Sequence, residues 1–316
     1  MKWVSGIRPQ RCLKGGFSLN KQHEFTVEQE TQLLPFLLEK YAGTGRNKVK
    51  ALLTRGQVMV GTRVVTRHDH GLSAGDRVKI LSTGSVQQRE LMAGVKIMYE
   101  DDAILVIDKP PGLLSIATDE EKERTAYHIM VDHVRTRDPK SRVFIVHRLD
   151  RETSGLMMFA KTEAIKRQLQ DNWKDTVIER SYVALVEGAV EQDQATIKTW
   201  LKESVTKTMY VSRPGDGMIA ITHYQVIERT PEFSLLAVQL ETGRKNQIRV
   251  HMQSIGHSVV GDKRYGSKHN PIGRLGLHAQ ILSFKHPVTE ETLRFETAIP
   301  DKFRAALFRE QTHPKK

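Results

Sequence analysis

The sequence predicts an α+β protein: a mixed, mainly antiparallel sheet with flanking helices, preceded by a small basic α/β module. Three observations predict it. The chain has 316 residues, enough for one large domain and a small one. In its C-terminal two-thirds, strand-like runs do not alternate with helical ones as βαβα, which argues against a doubly wound parallel sheet. Charge is uneven: residues 1–90 carry 15 Lys/Arg against 7 Asp/Glu, and the remainder 34 against 30. A basic module on a nearly balanced body points to a polyanionic partner, nucleic acid first.

Along the chain, residues 1–20 read as an N-terminal extension with a Gly15-Gly16 joint, and Glu24 to Val27 as a short extended segment. Leu33, Leu34, Leu37 and Leu38 repeat at helical spacing, with Pro35 near the helix start, where a missing N–H costs least. Val49, Leu52 and Leu53 make the apolar stripe of a second short helix ringed by Arg46, Lys48, Lys50 and Arg55. Val58–Val60 and Arg63–Val65 flank Gly61-Thr62, a two-residue hairpin with glycine leading. Residues 83–95 are polar and read as a linker. Beyond them, Ile104–Ile107, Val143–Val146, Gly155–Ala160, Tyr182–Val186, Leu235–Leu240 and Leu293–Phe295 read as strands. Ala164–Trp173 and Asn246–Ile255 read as helices.

The strongest chemical signal is HRLDRETSGLMMFAKT, His147 to Thr162. It places Asp150 in a tight polar stretch between two strands, beside Arg148 and Arg151. A carboxylate among arginines keeps its charge at neutral pH, which suits a nucleophile or an ion-pair partner better than a general acid. On the residues alone, a structural salt bridge is the favoured reading.

The run HRLDxxTSGL followed by Ala160-Lys161 resembles the signature of RluA-type pseudouridine synthases. Three further blocks occur in that family's order. Asp108-Lys109-Pro110-Pro111-Gly112 resembles its KPxG segment. ERSYVALVEG resembles its K-x-Y-x-A-x-V-x-G segment, except that Glu179-Arg180 replaces the usual basic lead-in. LETGRKNQIRVHMQSIGHSVVGDKRYG resembles its TGRxHQIRxH…GHPIxGDxxYG block. The departures are Lys245-Asn246, where the family commonly shows Thr-His, and Ser258 in place of proline; altered RNA contacts are expected there. The basic helix and hairpin of the N-terminal module resemble the S4 RNA-binding domain.

These resemblances imply a pseudouridine synthase fold over 96–316 and an S4-like domain over 21–82. They imply Asp150 as the essential catalytic group, Arg249 as its ion-pair partner, and Tyr182 stacked on the target uracil. Arg148 would replace the extruded uridine in the RNA stack, and Leu277 would floor the uracil pocket. Arg46, Lys48, Lys50 and Arg55 would run along the RNA backbone. On the helix from Asn246, Ile248, Met252 and Ile255 face the core and Arg249 points off that stripe, while Asn246 suits its N-cap. His147 and His278 read as loop-holding residues.

The expected partner is RNA, ribosomal from the large subunit first and transfer RNA second, with no membrane and a monomeric chain. Pseudouridylation has no redox change, so no cofactor or metal is expected. Cys12 is the only cysteine, which fits a reducing cytoplasm. Two other readings stay open on sequence: an RNA-binding protein with a silent catalytic body, and a carboxylate hydrolase, although the matched blocks offer no second acid of the kind most glycosidases need.

Overall fold

The computed structural model describes residues 23–54, 57–61, 63–65, 67–80, 94–117 and 125–309. Arg55, the 1–20 extension and most of the 83–95 stretch lie outside the described residues. The chain divides into two compact units, Met1–Leu91 and Met92–Lys316.

The first unit runs β1 (His23–Thr26), β2 (Thr31–Gln32), α1 (Leu33–Lys40), α2 (Arg46–Thr54), β3 (Val58–Val60), β4 (Arg63–Val64), β5 (Gly71–Leu72) and β6 (Arg77–Ile80). A four-stranded antiparallel sheet has the order β1-β6-β3-β4, and β2 pairs β5 separately. Its core is the set the helical spacing marks out: Leu33, Leu34 and Leu37 from α1, and Val49, Leu52 and Leu53 from α2, closed over Val58, Val78 and Ile80. Arg46, Lys48 and Lys50 stand on the exposed side of α2.

The second unit runs β7 (Lys96–Glu100), β8 (Ile104–Lys109), α3 (Ala126–Arg135), β9 (Phe144–Ile145), β10 (Ser154–Ala160), α4 (Glu163–Asp171), α5 (Trp173–Thr176) and β11 (Val177–Glu187). It continues with β12 (Gln194–Glu203), β13 (Met209–Ser212), β14 (Met218–Arg229), β15 (Phe233–Leu240), α6 (Gln247–Ser254), a 3-10 turn (Lys263–Tyr265), β16 (Leu277–Lys285), β17 (Thr292–Glu296) and α7 (Asp301–Arg309). The strands form one sheet of order β13-β12-β14-β15-β11-β16-β10-β8-β7, with β9 on β10 and β17 on β16. This is the mixed, mainly antiparallel sheet the sequence predicts. Every pairing in it is antiparallel except β10 with β16.

Three elements differ from the sequence expectation. The Val143–Val146 run pairs over Phe144 and Ile145 only, because the chain leaves the sheet there for the polar loop. The helix expected over 164–173 divides at Asn172, which adopts a non-helical backbone, donates Nδ2 to Gln168 O at 3.1 Å and starts α5. In β12 and β14, Trp200, Ile219 and Ile221 share a face with Lys198 and His223, and Thr222 lies on the face that buries Ile197, Leu201, Ala220 and Tyr224, which blurs the alternation.

All seven residues of β10 are buried, as a strand covered on both faces requires. At its start the chain meets β16 in parallel, Ser154 opposite His278 and Gly155 opposite Ala279. Gly155 has φ +111, and a Cβ there would overlap the Ala279 backbone. Both the backbone conformation and the close approach demand glycine at this point of the HRLDxxTSG run. Gly155→Ala is predicted to lower the unfolding free energy by about 3 kcal/mol or more, the scale of a strained and overpacked core position. A denaturant midpoint unchanged from wild type would refute this.

Candidate active site

The loop that carries Asp150 connects β9 to β10 and is pinned from below by the segment after β8. Ser115 Oγ donates to Leu149 O at 2.7 Å and accepts from Leu149 N at 3.1 Å. Gly112 N donates to Arg151 O at 2.9 Å. Lys109 is wholly buried and spends its ammonium on three carbonyls: Pro110 O (3.0 Å), Leu113 O (2.8 Å) and Arg151 O (3.1 Å). Burial pulls its ammonium down to about 7, against Glu152 and Asp150, which hold it up. The KPxG and HRLD segments are thus one structure: the first supplies the hydrogen bonds that fix the peptides on either side of Asp150.

Arg249 reaches the same point from α6. Its Nη1 donates to Asp150 Oδ2 at 3.1 Å. The rest of the guanidinium is anchored elsewhere. Nε and Nη2 bind the two oxygens of Asp262 at 2.6 and 2.9 Å, a bidentate pair. Nη1 also donates to Asn246 Oδ1 at 3.0 Å, and the guanidinium carbon lies 4.9 Å from the Tyr265 ring centroid. Burial opposes the charge of Arg249, but Asp262 and then Asp150 outweigh it and hold the guanidinium above the ordinary arginine range.

Asp262 is almost sealed, with 1% of its side chain exposed, whereas Asp150 is 26% exposed. One carboxylate therefore fixes the arginine and the other faces the cleft. Among the described residues, Asp150 Oδ1 accepts no hydrogen bond. The geometry leaves one oxygen of a charged carboxylate open to a ligand.

Asp150 lines an open cleft of about 230 Å³. Asp150, Arg148, Tyr182, Arg249 and Leu277 all line it, so the structure brings together every catalytic and substrate-binding residue expected from the sequence. Burial, with a smaller contribution from Asp150, raises the Tyr182 hydroxyl above its ordinary value, and Arg180 opposes it. The phenol thus stays protonated at neutral pH. Leu277 opens β16 and is 4% exposed.

Asn246 differs from expectation. It precedes α6 with a left-handed backbone (φ +53), and its side chain makes no capping bond. Instead Nδ2 donates to Tyr265 OH at 3.0 Å while Oδ1 holds Arg249. Asparagine tolerates that backbone better than most residues, and its amide braces the arginine. Lys245 turns outward to Glu203.

The histidines hold the scaffold. His147 Nε2 accepts from Met158 N at 3.0 Å. His278 sits between Ser154 Oγ (2.7 Å) and Thr297 Oγ1 (2.8 Å), and Arg274 donates to the same Ser154 Oγ at 2.6 Å. His251 ties α6 to Thr199 and Thr222 of the sheet at 2.9 and 2.8 Å. Burial depresses all three, to about 3, 4 and 4 respectively, helped by Arg180 at His147 and by Arg274 at His278. Among the described residues no group of three or more His, Cys, Asp or Glu could hold a metal ion.

Sequence reasoning missed Asp262, the bracing role of Asn246, and Lys109 as the loop's anchor. Asp262 lies within the quoted GDKRYG run, but a single aspartate in a glycine turn carries no signal of a distant partner.

Comparison with known proteins identifies the family. The RNA pseudouridylate synthase profile matches residues 103–254. An uncharacterised RNA pseudouridine synthase from Bacillus subtilis is 37% identical over 65% of this chain and 72% of its own. Another, from Aquifex aeolicus, is 33% identical over 89% and 95%. The ribosomal large subunit pseudouridine synthase D of Vibrio cholerae is 32% identical over 83% and 86%. Among solved structures, human RNA pseudouridylate synthase domain containing 1 superposes with a TM-score of 0.52 at 26% identity, over 66% of this chain and 85% of that one. The chain belongs to the RNA pseudouridine synthase family, enzymes that isomerise uridine to pseudouridine within RNA.

Two predictions arise from this geometry. Asp262→Asn removes one partner of a buried ion pair, which costs about 3–5 kcal/mol. It is expected to lower the denaturant midpoint and slow turnover at least about tenfold, because Arg249 loses the anchor that aims Nη1. Wild-type turnover in Asp262→Asn would refute the anchoring role. The second concerns pH. Histidines depressed in the folded state take up protons first when unfolded, so their contribution to stability is complete above the free value of 6.5 and is lost as pH falls toward 4 and below. Urea titrations across that window should show a steadily falling unfolding free energy, and His278→Asn should flatten the slope.

Proposed function

We propose that this enzyme converts specific uridines of large-subunit ribosomal RNA to pseudouridine, with Asp150 acting at the sugar. The observation that carries the reading is the single open oxygen of Asp150. Its other oxygen is taken by an arginine that a second carboxylate already holds. Such an oxygen serves either as a nucleophile on C1′ or as an anionic neighbour to positive charge developing there.

In the reaction the N1–C1′ bond breaks and the uracil turns. C5 then bonds to C1′, N1 gains a proton and H5 leaves to solvent. An enzyme working on a base must first take it out of the stack. The cleft supports this: the ring of Tyr182 provides a face for the uracil, the apolar side chain of Leu277 a floor, and the exposed guanidinium of Arg148 a planar group to fill the vacated place. The neutral Tyr182 phenol would act late as a relay, its oxygen taking the proton removed from C5 while its own O–H proton passes on to solvent.

The N-terminal unit is read as an RNA-docking module of the S4 kind. Arg46, Lys48 and Lys50 on the open side of α2 support contacts to phosphates, which give affinity and register without reading sequence. The match to a large-subunit enzyme over most of both chains favours ribosomal RNA, and an RNA-modifying role favours a cytoplasmic location.

The test is tritium release from large-subunit RNA transcribed with uracil labelled at C5. Wild type should release tritium. Asp150→Asn should release none above background while still binding the RNA, since the substitution removes charge and little volume. Normal release by Asp150→Asn would overturn the catalytic assignment. Pseudouridine mapping in cells with and without the gene identifies the substrate; sites lost from transfer RNA instead would reassign it.

A further inference from the structure

We propose that Arg180, which lies beside the cleft against its lining residue Gly243, binds a backbone phosphodiester of the RNA next to the extruded uridine. The proposal rests on the reading above that RNA enters this cleft.

Arg180 lies on β11 two residues before Tyr182, and strand alternation puts both on one face. Two contacts fix its guanidinium. The central carbon lies 5.4 Å from the Trp173 ring centroid, within the range of a cation–π contact. One edge abuts Gly243: a Cβ there would come within 2.9 Å of Nη1, so hydrogen is the only side chain that leaves the slot open. Gly243 itself lines the cleft with Arg148, Asp150 and Tyr182. Trp173 is braced in turn by the ring of His147, 5.3 Å away, and His147 stays neutral as the acceptor for Met158 N.

Each group that seats Arg180 is uncharged: an indole, a glycine backbone and, behind them, a neutral imidazole. Among the described residues Arg180 forms no ion pair. Arg249, by contrast, has two carboxylates, and Arg294 has Glu179 and Glu296. A half-buried guanidinium without a counter-ion is costly, and the cost is repaid when an anion arrives. The anion that fits is a phosphodiester. Held over the indole, the guanidinium keeps N–H groups for the two-pronged contact that arginine makes with phosphate oxygens. The lead-in to the tyrosine segment and the glycine of the TGR segment thereby acquire one joint purpose.

The experiment measures binding apart from turnover. A fluorescein-labelled transcript of large-subunit RNA is titrated with full-length enzyme over about 50–200 mM KCl. For Arg180→Gln the dissociation constant should rise about tenfold, and the slope of log K against log[KCl] should shrink by about one, the signature of one lost phosphate contact. The loss should fall on binding, with the single-turnover rate at saturating RNA falling far less. Arg180→Lys should recover the slope but only part of the affinity, because the charge returns without the fork. Gly243→Ala, which displaces the guanidinium, should weaken binding in the same direction. An unchanged slope in a folded Arg180→Gln enzyme overturns the proposal. So does a loss confined to the rate at saturating RNA, which would assign Arg180 to the electrostatics of Tyr182 instead. If Arg180→Gln fails to fold, the slope and affinity of Arg180→Lys and Gly243→Ala decide. Should the wild type bind RNA yet make no pseudouridine, the function proposed above fails while the salt slope still reads Arg180.

Discussion

The site depends on the bidentate pair between Arg249 and Asp262. A lone arginine facing Asp150 would be free to close on both of its oxygens, giving a satisfied and inert salt bridge. Here Asp262 takes Nε and Nη2, Asn246 shares Nη1, and Asp150 receives a single hydrogen bond from Nη1. The arrangement holds two carboxylates near one cation, at a cost in repulsion. Burying one of them almost completely and leaving the other at the cleft wall gives the pair distinct tasks. Fixing the arginine by a bidentate bond also limits its freedom to follow Asp150, which keeps the open oxygen in one place.

The second constraint is on the backbone that presents Asp150. A loop between two strands has few bonds of its own, and a catalytic side chain on a loose loop loses aim. The segment after β8 supplies what the loop lacks. Lys109, with three donors and a chain long enough to reach them, binds the carbonyls of Pro110, Leu113 and Arg151 at once. Ser115 does the same for both polar groups of Leu149. Prolines in Lys109-Pro110-Pro111-Gly112 reduce the N–H groups the turn must satisfy, and Gly112, with φ +83, lets it reverse.

Much of this was legible in the sequence, and the reasons are physical. Buried strands such as Ile104–Ile107 and Gly155–Ala160 are unbroken apolar runs, and α6 shows helical periodicity, so their types were plain. The clustering of Asp150, Tyr182, Arg249, Arg148 and Leu277 came from the family resemblance. Periodicity by itself would have left Arg249 as a surface residue. What stayed hidden were contacts between residues far apart in the chain. Asp262 is a turn aspartate until α6 is placed beside it. Lys109 reads as a solvated lysine until the Asp150 loop folds over it. Asn246 reads as a cap until its left-handed backbone is known. In each case the local pattern was compatible with a commoner use, and only the fold chose.

The parallel seam between β10 and β16 governs how the enzyme comes together. Half of the strand pairs in the large sheet join neighbours in sequence, whereas Ser154 and His278 are 124 residues apart, and Asp150 and Arg249 are 99 apart. Closing such loops is entropically expensive and slow compared with forming hairpins like β14–β15. The carboxylate arrives on one side of this closure and its arginine on the other. Local hairpins alone therefore leave Asp150 and Arg249 apart, and the site exists only once this long-range closure is made.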